Sequence, residues 1–285
     1  SGGNGGNSVS SSGVGGATGV GGAEAASTST AGGAAGNGGV GGSAGAAPSI
    51  THCVGKVYDC GDAMDNDGDG LTDSEDPECL SPCGMFEATF HSPVGDPWLP
   101  CLVDCYFDEN AGSGDDDCRW SHKCDPQEVP PTYYPSSDEG STCAYDPGAS
   151  IPGTFASCSD LASVQSAPCM SYCGPLIPNG CDCFGCCEVA AGSGLYVWLG
   201  STVGGVGSCS SDKAQDPTAC HPCTPVTACL NPCEACELCV GKSAVPAGCT
   251  QDLQCSPGTQ PCGLPGQADC PEGQYCVTGC CRPAP

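Results

Sequence analysis

The sequence predicts a small-disulfide-rich fold, mostly irregular with short β-strands, behind a Gly-rich N-terminal tail. Three observations predict it. The first is cysteine: 30 of the 229 residues from Cys53 to Cys281 are Cys, and none occurs in the first 52. The second is the scarcity of aromatics, 6% of 285 residues, which is too little for one large apolar core. The third is punctuation: 45 Gly and 26 Pro interrupt every long periodic stretch.

Residues 1–50 form a low-complexity tail of Gly, Ala, Ser, Val, Asn and Thr, with Glu24 as its only charged side chain. Its glycines are periodic. Gly13, Gly16, Gly19 and Gly22 keep a spacing of three, as do Gly33, Gly36, Gly39, Gly42 and Gly45. Two readings are open. A Gly/Ser-rich segment is ordinarily a flexible linker. A period of three also fits an extended left-handed helix with glycine along one edge, where another backbone can approach and exchange hydrogen bonds. Without proline before Pro48 this is not collagen, and a polyglycine-II-like packing suits it better.

Residues 51–83 hold an acidic loop bracketed by cysteines. Asp65, Asp67, Asp69, Asp73 and Asp76 occupy positions 1, 3, 5, 9 and 12 of a twelve-residue loop, with Gly70 at position 6. Calcium takes six to eight oxygens at flexible distances, and alternate carboxylates supply them. The spacing predicts Asp65, Asp67 and Asp69 as direct ligands and the Leu71 carbonyl as an inward-facing oxygen. Asp73 would bind directly or through water, and Asp76 would close the site.

This string resembles known loops. DxDxDGxxDxxD followed by Cys is similar to the calcium loops of thrombospondin type 3 and dockerin-type repeats. The longer run from Cys60-Gly-Asp through Cys79 resembles the metal-binding motif of secreted cysteine-rich proteins of myxobacteria and relatives; so do Cys181–Cys187 and the terminal Cys280-Cys281. The resemblance implies Ca2+ and an extracellular setting, and no reaction. Amphipathic helices do not flank the loop, so the expectation is a helix-free site rather than an EF-hand.

Residues 84–242 read as the main disulfide-rich domain. Phe86–His91, Cys101–Phe107 and Leu195–Thr202 are expected strands. One helix is expected from a cap at Ser159 or Asp160 to about Tyr172, with Cys169 and Cys173 on one face. A second acidic group, Asp104, Asp108, Glu109, Asp115, Asp116 and Asp117, is either another calcium site or a solvated loop. Residues 243–285 form a C-terminal cysteine-rich mini-module of closely spaced turns.

Cysteine density and an even count predict disulfides and an extracellular compartment, secreted or cell-surface. The chain begins at Ser1 without a charged-then-apolar leader, as a mature secreted chain would. The rival reading, zinc or iron–sulfur chemistry at Cys183/Cys186, Cys220/Cys223 and Cys233/Cys236/Cys239, has only four histidines to draw on. A net charge of -27, with 6 basic residues, excludes a nucleic-acid binder working through a basic face. No apolar run is long enough for a membrane span. Gly41-Gly-Ser43-Ala-Gly45 matches the GxSxG nucleophile pattern but lies in the tail, without a strand before it or a helix after it. The expectation is therefore not an enzyme. It is a structural subunit of an extracellular filament or matrix, self-assembling through identical subunits. The alternative is a cell-surface adhesion or binding module for a glycan or another cell, with the tail as spacer.

Overall fold

A computed structural model describes residues 50–53, 55–92, 101–108, 116–130, 142–189, 192–242, 244–246, 248–249, 255, 258–264 and 266–284. The glycine period of residues 1–49, and Glu109 and Asp115 of the second acidic group, lie outside the described residues. The described residues fall within one compact unit, Ser43–Pro285.

Cysteine replaces the apolar core. All 30 cysteines are paired in 15 disulfides, from Cys53–Cys83 to Cys270–Cys281, and none is free. No CxxC pair closes on itself, although within the run Cys233/Cys236/Cys239 the outer two cysteines pair and Cys236 goes to Cys249. Cys220 pairs with Cys209 and Cys223 with Cys186, while Cys183 pairs with Cys229. The pairs range from 6 residues apart (Cys181–Cys187) to 68 (Cys105–Cys173), so local loops and distant segments are both stapled.

Among the described residues, regular structure consists of four two-stranded antiparallel pairs, one interrupted α-helical stretch and six single 3-10 turns. β1 (Leu102–Val103) pairs with β2 (Trp120–Ser121), and β3 (Cys186–Glu188) with β4 (Tyr196–Trp198). β5 (Thr202–Val203) and β6 (Val206–Gly207) close over Gly204-Gly205, whose φ angles of 64° and 74° suit the two-residue turn that follows strand twist. β7 (Gln274–Val277) returns as β8 (Cys280–Pro283) in the same way, over Thr278-Gly279.

The expected strands are shortened. Cys101–Phe107 keeps only β1, and Leu195–Thr202 breaks after Trp198 into a turn. Phe86–His91 is not a strand: Thr89 N–H turns back to the Phe86 carbonyl, and Phe90 N–H reaches the Cys209 carbonyl alone. The single expected helix is two. α1 (Cys158–Ser163) is capped by Ser157, not Ser159 or Asp160; Asp160 instead reaches back to the Ser157 N–H and completes a capping box. α2 (Ala167–Tyr172) begins afresh at Ser166, whose hydroxyl accepts the Cys169 N–H. Pro168 has no N–H for the Val164 carbonyl, so the helix cannot run through.

The core centres on buried Ile177, Phe184 and Leu199 among the cystines, with Trp120 stacked on Phe184 at 6.0 Å between ring centroids, and Trp198 packs in a smaller cluster with Val129 and the Cys186–Cys223 disulfide. Gly185, at φ +83°, is packed so closely beneath Tyr106 that an added Cβ would lie 2.8 Å from its ring. Among the described residues, no helix is long and apolar enough to cross a membrane.

Candidate metal centre

The acidic loop sits inside two nested disulfide rings. Cys53–Cys83 forms the outer ring and Cys60–Cys79 the inner, so both ends of Asp65–Asp76 are fixed covalently. Its flanks carry no α-helix; the local regular structure is one 3-10 turn at Asp59–Gly61 and another at Asp73–Glu75. Gly61 lets the chain pass close by: a Cβ there would be 2.6 Å from the Thr51 carbonyl oxygen.

Within the loop, carboxylates fold the backbone around themselves. Asp65 accepts the N–H groups of Gly68 (2.7 Å) and Gly70 (3.1 Å), Asp67 that of Asp69 (3.0 Å), and Asp69 that of Leu71 (2.7 Å). Gly70 meets this curvature at φ +96°, where a side chain would be strained although nothing crowds the position. The result brings carboxylate oxygens of Asp65, Asp67 and Asp69 within 4.8 Å of one another on the exposed surface. Leu71 stays at the exposed rim of this turn.

Asp73 and Asp76 turn inward and form a separate, buried group. Asp73 accepts the Ala63 N–H at 3.1 Å, and Asp76 accepts the Glu78 N–H at 2.7 Å through Oδ1. The Asp76 Oδ2 is sealed from solvent and has no hydrogen-bond partner. Beside it lies Glu87, 1% exposed, with a carboxylate oxygen within 4.8 Å of one of Asp76. Glu87 is the residue that loop spacing cannot reveal. It comes from the segment after the outer disulfide and clamps the loop twice, accepting the N–H groups of Asn66 (2.6 Å) and Asp73 (2.7 Å).

Burial without a countercharge raises Asp73 and Asp76. Burial pushes the Asp73 carboxyl up to about 6, against the Ala63 N–H and with help from the charges of Glu87 and Asp62. Burial pushes Asp76 up to about 8, with Glu78 and Asp69 adding to it. That effect of Asp69 links the exposed carboxylate group to the buried one. Tyr275 of β7 closes the underside, its hydroxyl donating to the Cys60 carbonyl at 2.8 Å. Burial, and then Asp73, Asp76 and Glu87, raise its own phenol well above the usual value.

The arrangement therefore offers oxygen ligands only, six carboxylates in two adjoining sets, with no basic side chain paired to them among the described residues. Hard cations suit such a set. No protein-family model, no curated protein and no solved structure matches the chain.

Proposed function

We propose that the chain is a structural subunit of an extracellular filament or matrix, stapled by disulfides and locked by calcium at the Asp65–Asp76 loop. The observation that carries this reading is the pairing of every cysteine, with no thiol left for metal or redox chemistry. Fifteen cross-links belong to an oxidising compartment and give rigidity without a large core. Calcium answers the buried Asp76 and Glu87 carboxylates, whose burial is costly without a countercharge. It also offsets part of a net charge of -27, which opposes the packing of identical subunits. The period-three glycine tail supplies the element that packs between them. The likeness of the loop to those of secreted myxobacterial proteins agrees with this setting.

Electron microscopy of the native protein, before and after calcium chelation and after deletion of residues 1–47, tests the proposal. Ordered filaments that come apart under either treatment are expected. Discrete particles under all conditions would refute assembly and make the tail a spacer for a binding module.

A further inference from the structure

Outside the Asp65–Asp76 loop, another pair of carboxylates among the described residues has buried oxygens with neither a countercharge nor a hydrogen-bond donor, unlike buried Asp125 and Asp182, which accept backbone N–H groups. The chain leaves β1 at Val103 and returns opposite it at Trp120 of β2. Asp104 follows the first strand directly, and Asp116 lies shortly before the second. Two disulfides hold these segments to one helix: Cys105 is joined to Cys173 and Cys118 to Cys169. Cys169 and Cys173 are one helical turn apart and fully buried. Both ends of the segment are thus pinned to a common support.

Asp116 is 3% exposed; its Oδ1 accepts the Cys118 N–H at 3.1 Å, while its Oδ2 is closed off from solvent and unpartnered. Both carboxylate oxygens of Asp104 are likewise sealed and without a donor. A carboxylate oxygen of Asp108 comes within 4.8 Å of one of Asp116; the neighbouring Cys105 sulfur is committed to its disulfide. Burial, then the charges of Asp116 and Asp108, push Asp104 up to about 8. The adjacent Asp117 shows the contrast, since Arg119 pairs with it at 2.6 Å, the one ion pair among the described residues.

We infer that Asp104, Asp108 and Asp116 form a second, independent calcium site, held in shape by the Cys105–Cys173 and Cys118–Cys169 disulfides. Sealed carboxylate oxygens with no donor need a neutralising partner. A set made only of carboxylate oxygen selects a hard cation, and calcium accepts ligands from such irregular positions more readily than magnesium does. A proton shared between Asp104 and Asp116 is the competing neutraliser.

Calorimetric titration of calcium chloride into the full disulfide-bonded chain separates the two. Wild type is compared with Asp104→Asn/Asp116→Asn, Asp65→Asn/Asp67→Asn and Asp108→Asn. The expected result is that Asp104→Asn/Asp116→Asn and Asp65→Asn/Asp67→Asn each abolish a different binding equivalent. Asp108→Asn, at a side chain only partly buried and so tolerant of change, weakens the Asp104/Asp116 equivalent about tenfold by removing one ligand charge. If the Asp65 loop binds nothing, the remaining equivalent must still respond to Asp108→Asn. Calcium uptake indifferent to Asp108→Asn, or a single equivalent that Asp65→Asn/Asp67→Asn abolishes, overturns the inference and leaves the shared proton.

Discussion

Calcium uptake at the Asp65–Asp76 loop should release protons, and the number released should fall as pH rises. Without a cation Asp73 titrates at about 6 and Asp76 at about 8. A cation requires both ionised. Near pH 5 the pair holds nearly two protons, near pH 7 about one, and near pH 9 about a tenth of one, and binding displaces whatever is held. The assay is calorimetry in buffers of differing ionisation enthalpy, on the Asp104→Asn/Asp116→Asn protein so that only the loop contributes. Stability gives a second reading. These acids have folded values above their unfolded ones, so their contribution is complete below about pH 4 and is lost as pH rises through the folded values. His91 and His122, buried and held down to about 4 and 3, act in the opposite sense below their unfolded value of 6.5. The informative window is therefore pH 7 to 9. There the extra proton on Asp76 makes the chelated protein lose roughly 1 kcal/mol, seen as a falling Tm that calcium flattens. Proton release that is constant with pH, or a Tm in chelator that climbs from pH 7 to 9, would refute the reasoning.

Two further outcomes test the frame around the loop. Glu87→Gln keeps one amide oxygen as acceptor and turns an NH2 donor toward either the Asn66 or the Asp73 N–H, so it should cost about 1.5–3 kcal/mol and weaken calcium binding, measured by urea unfolding and by titration. Unchanged calcium affinity would show that Glu87 does not position the loop. Cys105→Ala/Cys173→Ala opens a cross-link whose loop the retained Cys118–Cys169 bond already shortens, and the chain-entropy relation sets the loss at about 3 kcal/mol, checked by denaturant midpoints. A loss below about 1 kcal/mol would mean that the remaining disulfides already constrain this part of the unfolded chain.

Composition made the disulfide-rich fold legible, and spacing made the exposed carboxylate cluster of the candidate metal centre legible. Both are local properties: cysteine density sets the means of cross-linking, and alternation at Asp65, Asp67 and Asp69 sets a turn in which each carboxylate accepts a nearby N–H. What stayed hidden depends on distant segments. Glu87 reads as one position in an apparent strand, because its partners, Asn66 and Asp73, lie 21 and 14 residues away. The same segment lost its strand because Glu87 is drawn beneath the loop while Phe90 finds its single bond on Cys209. The break between α1 and α2 was written locally, in Ser166 and Pro168, as a restart signal inside what reads as one helix.

The disulfides and the carboxylates are two sides of one physical problem. A chain this poor in aromatics closes its interior with cystines, and these pull whatever lies between them out of water. Between Cys60 and Cys79 that material includes Asp73 and Asp76; beside Cys105 and Cys118 it includes Asp104 and Asp116. Covalent closure supplies the energy that burying an acid costs, since a cross-linked segment cannot swing out to rehydrate its carboxylates. The acids are then left to find a proton or a cation. Reduction of the inner ring should therefore abolish calcium binding at the loop even where Asp65, Asp67 and Asp69 are intact, because it frees Asp76 to return to solvent. Calcium titration of a Cys60→Ser/Cys79→Ser protein measures this, and retained affinity would show that the exposed aspartates suffice on their own.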